Sequence, residues 1–212
     1  MDNTSNSLTD GLIDNSIDYS REIDILRRKY KAYFVKNEEI DCRKRSGVLY
    51  YSNGNKYYEG ELVDGKKHGK GIMYDIDGNK VYEGNWKNNT PDGTGTLFYD
   101  NGKERYNGEW KNGEWDGKGV LNSPEGNTLY EGEWKNGFLH GKGTKYYSNG
   151  NKEYEGDWKN GFEDGNGTLN YENGSKMYVG EWRNGQPNGK GVRYAHGRVF
   201  SGCFENGKYI RN

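Results

Sequence analysis

The sequence is poor in the residues from which most protein cores are built. Only 30% of its 212 residues are hydrophobic, and no stretch approaches the ~18 consecutive apolar residues of a membrane-spanning helix. So polar a chain is usually disordered, but disorder goes with high net charge and few aromatic residues. Here the formal net charge is -1 and aromatic residues reach 15%. We therefore expect a folded protein whose core consists of tyrosine and tryptophan.

Cysteine and histidine are also scarce, which bears on disulfides and metal sites. Cys42, Cys203 and the three histidines form no CxxC motif and no Cys/His cluster, and this disfavours both a disulfide framework and a zinc module. His68 and His140 share one position just before a glycine, where a role in a turn fits better than metal binding, and His196 stands alone. We predict no metal site and no cofactor.

Signals for secretion and for nucleic acid binding are absent too. The N-terminus, MDNTSNSLTDGL, lacks the basic and apolar regions of a secretory signal. A near-neutral chain gives no electrostatic basis for binding phosphates along a nucleic acid. The sequence therefore predicts a cytoplasmic protein that is neither secreted nor transmembrane and has no nucleic acid partner.

Glycine, by contrast, is abundant, and it recurs together with the aromatic residues at a fixed period of 24 residues. Such a period is typical of repeat architectures. Six tyrosines and five tryptophans keep it: Tyr58, Tyr82, Tyr106, Tyr130, Tyr154, Tyr178, Trp86, Trp110, Trp134, Trp158 and Trp182. A Gly-x-Gly pair keeps it as well, beginning at Gly69, Gly93, Gly117, Gly141, Gly165 and Gly189.

Each repeat has the pattern of a β-hairpin. Tyr130, Gly132 and Trp134 alternate with Glu131 and Glu133, a period of two that predicts a strand with one aromatic face and one charged face. Asn-Gly pairs between the strands favour tight turns. We expect each indole to pack over the Gly-x-Gly of the partner strand. Hairpins in tandem predict one antiparallel sheet of about fourteen strands that is elongated, twisted and curved, with the aromatic face inside.

The chain outside the repeats divides into three segments. Residues 1–18 are polar and are predicted to be a flexible tail. Residues 19–46 hold an amphipathic helix, from about residue 20 to 40, and a basic linker; this segment either caps the first repeat or contacts an anionic membrane or a partner. The repeat array spans residues 47–207 as a half unit, six whole units and a partial unit, and residues 208–212 form a C-terminal tail.

The repeat, written Y-x-G-x-W-x-N-G-x-x-x-G-x-G-x-x-x-Y-x-x-G, resembles the MORN repeat (membrane occupation and recognition nexus). Residues 154–177, YEGDWKNGFEDGNGTLNYENGSKM, state it closely, and the resemblance covers residues 47 to about 207. This chain runs one residue longer per unit, and Asn89-Thr90-Pro91 replaces one Asn-Gly turn. The resemblance implies an elongated, curved β-sheet that scaffolds assemblies. It is found in cytoskeletal and membrane-junction proteins, in ciliary radial spokes, and as an appendage on some enzymes.

Nothing in the sequence indicates catalysis. An active site needs a nucleophile with a base, or carboxylates in unlike environments, whereas the many acidic residues here occupy repeated strand positions opposite Lys or Arg. Such residues fit a solvated ladder on the charged face. The Gly-x-Gly pairs lack the Lys-Ser/Thr and the following helix of a phosphate loop. We predict that the chain is not an enzyme.

Three surfaces are candidates for recognition. The first is the aromatic trough, whose rings either bind a partner or are simply the core: Tyr82, Trp86, Tyr106, Trp110, Tyr130, Trp134, Tyr154, Trp158, Tyr178 and Trp182. The second is a rim of apolar residues placed in the loops, which either face a partner or fold back over the sheet: Trp115, Phe138, Leu139 and Phe162. The third is the last strand, Phe200 to Phe204, which would pair with another chain unless the tail covers it.

These features favour a non-catalytic scaffold or adaptor that mediates protein–protein interactions in a cytoskeletal or membrane-associated assembly. One alternative is direct binding of anionic phospholipids, with peripheral membrane contact through the basic N-terminal segment. A ligand-binding repeat of the choline-binding type is a further alternative, which the longer period and the missing secretion signal disfavour. A homo-oligomer would form through the C-terminal edge strand.

Overall fold

A computed structural model describes residues 46–210 as an all-β structure, with no helix within that range. Its 15 strands follow chain order in one antiparallel sheet, so each strand pairs with its sequence neighbours. The strands are β1 Ser46–Tyr50, β2 Lys56–Val63, β3 Lys66–Tyr74, β4 Lys80–Lys87, β5 Thr90–Phe98, β6 Glu104–Lys111, β7 Glu114–Asn122, β8 Thr128–Lys135, β9 Phe138–Tyr146, β10 Lys152–Lys159, β11 Phe162–Asn170, β12 Lys176–Arg183, β13 Gln186–Ala195, β14 Arg198–Glu205 and β15 Lys208–Ile210.

The described chain forms two compact units. One contains residues 46–129 with Trp134–Gly137, and the other contains residues 138–210 with Tyr130–Glu133. The predicted tail over residues 1–18, and the predicted helix and basic linker over residues 19–46, lie outside the described residues except for Ser46, which begins β1.

The tandem hairpins that the sequence predicts are confirmed. Asn112 and Gly113 turn the chain with φ values of 51° and 81°, the left-handed region that these two residue types tolerate. The unusual turn is made by Asn88 and Asn89, whose φ values are 50° and 71°. The second asparagine takes the place of glycine, so Thr90 begins the next strand in the same register as in the other hairpins.

Tyrosine, rather than tryptophan, fills the space over the Gly-x-Gly pairs. A Cβ on Gly143 would overlap the ring of Tyr130, and the same holds at the second glycine of the other five pairs. The indole lies beside the pair instead: the Trp158 Nε1–H donates to the Gly143 carbonyl at 3.1 Å. The prediction that the indole covers the glycines is therefore wrong, although an aromatic ring does require them.

The rings also pack against each other along each unit. Tyr154 meets Trp158 at 4.9 Å and Trp182 at 5.2 Å between ring centroids, both edge to face. Aromatic pairs favour this geometry because the positive edge of one ring faces the negative face of the other. One tyrosine therefore joins the tryptophan of its own hairpin to that of the next.

One row of acidic residues has a structural role that the predicted solvated ladder does not include. The first strand of a hairpin shifts register near its tryptophan, for example between Gly156 and Trp158, as a β-bulge does. A neighbouring carboxylate then accepts a free backbone amide: Glu133 Oε1 accepts from Lys142 N at 3.1 Å. The same bond links Lys70 N to Glu61, Lys118 N to Glu109 and Asn166 N to Asp157.

The C-terminal segment is a strand where the sequence predicted a tail. Lys208–Ile210 pairs with Cys203–Glu205, so β14 is covered at Phe204. The Phe204 side chain is 2% exposed and meets Tyr178 edge-on at 5.0 Å. The expectation of an open strand is therefore wrong at Phe204, and the alternative, that the following segment covers it, is confirmed there. Phe200 pairs with Arg193 of β13 and lies outside the β14–β15 ladder.

Candidate functional site

The ten rings of the predicted trough form the core. Their relative exposure is between 0 and 6%, and each tyrosine and tryptophan packs within or between hairpins. These side chains therefore do not form a surface of freely accessible rings. Contact between a partner and any of them stays a prediction; the accessible part of the aromatic face consists of the side chains beside the rings.

The four residues of the predicted rim lie in strands rather than loops, so that part of the prediction is wrong. Trp115 is in β7, is 1% exposed, and stacks on Tyr106 at 4.3 Å with an angle of 6° between the rings. Leu139 holds the same repeat position in β9. Phe138 and Phe162 hold the preceding position, and successive strand residues point to opposite sides of a sheet. The four residues therefore belong to two faces.

Phe138 and Phe162 remain candidates for a partner surface. Both are half-buried and begin strands β9 and β11. Each ring lies against the turn glycine of the following hairpin: a Cβ on Gly185 would be 3.6 Å from Phe162 Cδ1, and one on Gly161 would be 3.8 Å from Phe138 Cδ1. Each ring therefore lies along the turn of the next hairpin, and because the ring is half-buried, part of it stays accessible.

The second residue after each Asn-Gly-type turn, hereafter the variable position, lies on the aromatic face and differs between most hairpins. Its backbone is constant, because its carbonyl accepts an amide from the next turn, as when Gly185 N donates to Glu163 O at 2.9 Å. In four hairpins it lies directly across from a tryptophan. Its side chains, however, differ in size and charge between most hairpins, and proline occurs twice: Lys67, Pro91, Trp115, Leu139, Glu163 and Pro187.

In the first hairpin the variable position holds a buried cation. Lys67 is 5% exposed, and its Nζ donates to the Tyr57 hydroxyl at 2.9 Å. The same Nζ lies 4.2 Å from the centroid of the Trp86 ring, a cation–π contact that partly replaces lost hydration. Burial lowers the pKa of Lys67 to about 8, because removing the ammonium from water disfavours its charged form.

In the fifth hairpin the same position holds a buried carboxylate. Glu163 is 5% exposed, and its Oε2 is shielded from solvent without a hydrogen-bond partner. Burial raises the pKa of Glu163; its own backbone amide and Lys145 oppose that rise, and Glu153 adds to it. Lys145 and Glu153 form an ion pair of 3.1 Å, and each is about a quarter exposed. These three residues form the charged cluster of the fifth hairpin.

Sequence reasoning missed Lys67 and Glu163. The signal was available in the alignment of the six repeats, where charged residues occupy a column that otherwise holds Pro, Trp and Leu. What alignment alone could not supply was the side of the sheet to which that column belongs. Both residues follow a turn, where a charged side chain is ordinarily expected at the surface.

Other kinds of site are not found in the part of the chain that the structure describes. Residues 46–210 contain no group of three or more His, Cys, Asp or Glu side chains placed to hold a metal ion. Within the same range there is no helix that could cross a membrane. Cys203 is a free, exposed thiol.

Comparison with known proteins agrees with the repeated geometry. The family model described as MORN repeat matches six consecutive stretches, residues 58–80, 82–104, 106–128, 130–152, 154–176 and 178–195. No curated protein matches the chain significantly. MORN repeats are generally associated with protein or membrane interactions, and the family is generally non-enzymatic. The matches, which begin at each buried tyrosine and each span one hairpin, show that this chain belongs to the MORN-repeat family.

Proposed function

We propose that the chain is a non-catalytic scaffold that binds protein partners in a cytoskeletal or membrane-associated assembly. One observation carries the proposal: the hairpins repeat a single backbone register, while the accessible residue that begins the second strand changes from Lys66 to Thr90 to Phe162. A repeat that preserves its frame and varies one side chain per unit presents different chemistry at regular intervals. Binding several contacts of a partner is a use that suits such a surface.

The aromatic core supports this proposal. Tyr130 donates its hydroxyl to the Glu133 carbonyl at 3.1 Å and lies over Gly143, so the residues that recur in every unit are occupied in holding the hairpin together. The residues that differ between units are then free to be selected for binding. Recognition residues of repeat proteins therefore belong among the exceptions to the pattern.

Cross-linking and capture from the native cell test the proposal. The intact chain is compared with a variant carrying Phe138→Ser and Phe162→Ser, which removes two half-buried rings outside the core. The matched control carries Thr90→Ser and Gln186→Ser at the same repeat position in other hairpins. Circular dichroism and thermal unfolding verify that all three chains are folded.

The scaffold predicts a defined set of cross-linked proteins, part of which the Phe variant loses and the control variant keeps. If no protein is enriched over an unrelated β-sheet protein by any of the three chains, the scaffold proposal is overturned. If partners are enriched equally by all three, the two phenylalanines are not the contact, and the variable positions become the next to test.

Anionic phospholipid binding is the second candidate, since five consecutive hairpins expose a cation just before the turn. These are Lys87, Lys111, Lys135, Lys159 and Arg183. The same strands carry a carboxylate or amide two residues earlier, such as Glu109 and Glu181, which weakens the attraction to a broad anionic surface.

Liposome flotation separates the two candidates. Salt-sensitive binding to acidic vesicles that disappears when Arg27, Arg28, Arg43, Lys44 and Arg45 are neutralised would replace the scaffold with a membrane-binding function. Binding that depends instead on the cations before the turns would favour a membrane role of the repeats themselves. The scaffold predicts no binding to acidic vesicles at physiological salt.

The chain itself is a further class of partner to test. Residues Arg198 to Ser201 of β14 lie outside the pairing with β15, and an unpaired stretch of strand favours association with another strand. Sedimentation equilibrium over a range of concentrations measures this. A dimer that Val199→Pro converts to monomer would support association through this edge, whereas a monomer throughout contradicts it.

A further inference from the structure

The most informative exception to the repeat is Glu163, a buried carboxylate in a core of rings. We propose that the charged cluster of the fifth hairpin receives a lysine or arginine side chain of a protein partner, with Glu153 and Glu163 as the residues that bind it. This inference rests on the proposed scaffold function and names a contact of that function.

The first support is the unmatched oxygen of Glu163. Its Oε2 is shielded from solvent and accepts no hydrogen bond, although buried polar atoms in native proteins nearly always have a partner, since leaving one unpaired costs free energy. The backbone around it is engaged normally, with its carbonyl bonded to Gly185 N. The missing element at this place is therefore a hydrogen-bond donor.

The second support is the charge of the cluster. Lys145 and Glu153 neutralise each other across 3.1 Å, and Glu163 adds a negative charge. Tyr154, which packs beside them, donates its hydroxyl to the Asp157 carbonyl at 3.1 Å. A positively charged donor would both balance the cluster and supply the hydrogen bond, and charge-assisted bonds are the strongest of their kind.

In the first hairpin, two longer side chains at the equivalent positions meet. Tyr57 and Lys67 occupy the places of Glu153 and Glu163, and their polar atoms are 2.9 Å apart. Glu153 also raises the pKa of Glu163. Because Glu153 is about a quarter exposed and Glu163 is buried, an approaching cation reaches Glu153 first.

The surroundings suit the aliphatic part of such a side chain. Leu169 lies in the same strand as Glu163, pairs with Tyr154, and is half-buried. Met177 occupies the place of Tyr57 in the following hairpin and is also half-buried. Lysine and arginine pack their methylene groups along apolar surface while the charged group makes polar contacts. A metal ion is a poorer fit, because residues 46–210 contain no group of three potential ligands.

Fluorescence anisotropy with the full chain tests the proposal. The probe is a labelled glycine-rich peptide with one lysine and one arginine, and the matched probe replaces them with norleucine and citrulline, which lack the charge. We expect the basic peptide to bind and the neutral one not to. Substituting Glu153→Gln together with Glu163→Gln should weaken binding about tenfold or more, as loss of a desolvated charge pair does.

The control variant is Glu155→Gln in the same hairpin. Glu155 is exposed and pairs with Lys152 at 2.9 Å rather than with Lys145, so its substitution changes the net charge of the chain without touching the cluster. Binding should change less than about twofold in this variant, because exposed charges act weakly. Equal losses in both variants, or no binding of the basic peptide to the intact chain, would overturn the inference.

A second measurement separates binding from folding. Glu163→Gln removes a buried charge, so its melting temperature should equal or exceed that of the intact chain while its affinity for the basic peptide falls. If glutamine is not tolerated, Glu163→Leu copies the residue found at position 139. Native partners that the Glu163 variants capture undiminished would contradict this contact and leave the scaffold intact, whereas the absence of partners for every variant would contradict the scaffold itself.

Discussion

The third and fifth hairpins share a backbone register and differ most at the variable position. Trp115 stacks on Tyr106 and meets Trp134 edge-on at 4.9 Å, so its indole is part of the core. Glu163 places a carboxylate in the equivalent location, across from Trp158, with one oxygen unpaired. The hairpin therefore forms whether this position adds to the core or costs it free energy.

That tolerance has a physical source in the ladder of tyrosine, glycine and tryptophan. The tryptophan of the hairpin that follows each of them donates to a glycine carbonyl, Trp134 to Gly119 at 3.2 Å and Trp182 to Gly167 at 3.3 Å. Because these contacts do not involve the variable position, its side chain is free to be chosen for stability or for function. Trp115 is an example of a side chain that adds stability, and Glu163 is an example of one that we propose serves function.

Removing Trp115 should have the largest effect. Trp115→Ala deletes a ring that is 1% exposed and stacked on Tyr106, and such truncations cost about 3–5 kcal/mol. Urea unfolding of the intact and substituted chains measures the loss. Leu139→Ala, at the same position but half-buried, should cost clearly less; equal losses would mean that the aromatic stack adds nothing to burial.

Lys67 extends the comparison to a cation. Its folded pKa of about 8 lies below the ordinary value of 10.5, so the folded chain binds fewer protons than the unfolded chain between those values, and stability rises with pH across that window. Below pH 8 the ammonium destabilises the fold by up to about 3 kcal/mol relative to a neutral side chain.

The variant Lys67→Met should therefore be more stable than the intact chain at pH 7, and the difference should shrink toward pH 10.5. Urea unfolding at both pH values gives the two free energies, and using the variant as the reference cancels the titration of other groups. A difference that is independent of pH would show that Lys67 keeps its charge without cost in the fold.

Glu163→Leu should have a smaller effect of the same sign. The pKa of Glu163 is raised above its ordinary value of 4.5, so the folded chain holds its proton to higher pH, and stability falls as pH rises through the folded pKa. At pH 7 the leucine variant should be more stable by about 1 kcal/mol, since replacing a buried charge with an apolar group is often stabilising.

At pH 4 that advantage should disappear, because the carboxyl is then protonated in both states. Thermal unfolding at pH 4 and pH 7 checks the difference. A leucine variant that is less stable than the intact chain at pH 7 would mean that Glu163 has a donor in the folded protein, which would also remove the first argument for a partner cation.

Glu155→Gln should have the smallest effect. Glu155 and Lys152 are both about half exposed, and ion pairs in water contribute below about 0.5 kcal/mol. Thermal unfolding at low and at physiological salt should show little change in either. A larger loss would indicate that the exposed pairs act together, which would make the charged face a contributor to stability comparable with the variable positions.

Much of this fold could be predicted because the same strand and turn pattern recurs in successive repeats. The alternation of Tyr130, Gly132 and Trp134 indicates a strand with one buried face, and five further copies confirm the period. Even the irregular turn at Asn88 and Asn89 keeps the register, since asparagine tolerates positive φ as glycine does. The last strand escaped prediction because Lys208–Ile210 has three residues, too few to show an alternating pattern.

The candidate site was harder to predict, and Trp115 shows why. As a residue just after a turn it was assigned to a loop, whereas the hairpin extends to the turn and directs the ring into the core. The β-bulge beside each tryptophan adds two residues to the second strand, since Gly108 to Trp110 spans two positions and Gly119 to Trp115 spans four, and the pattern of one strand does not reveal this. Burial of Glu163 depends likewise on what surrounds it.

The amino-acid pattern is sufficient to specify antiparallel hairpins, their order and their turns, because these depend on local alternation and on residues that adopt positive φ. The arrangement in space settles different questions: that tyrosine rather than tryptophan covers the glycines, that one row of acids binds backbone amides, and that Lys67 and Glu163 are buried. Those facts depend on side chains from neighbouring strands and hairpins. The residue pattern of a single strand does not specify its contacts with other strands.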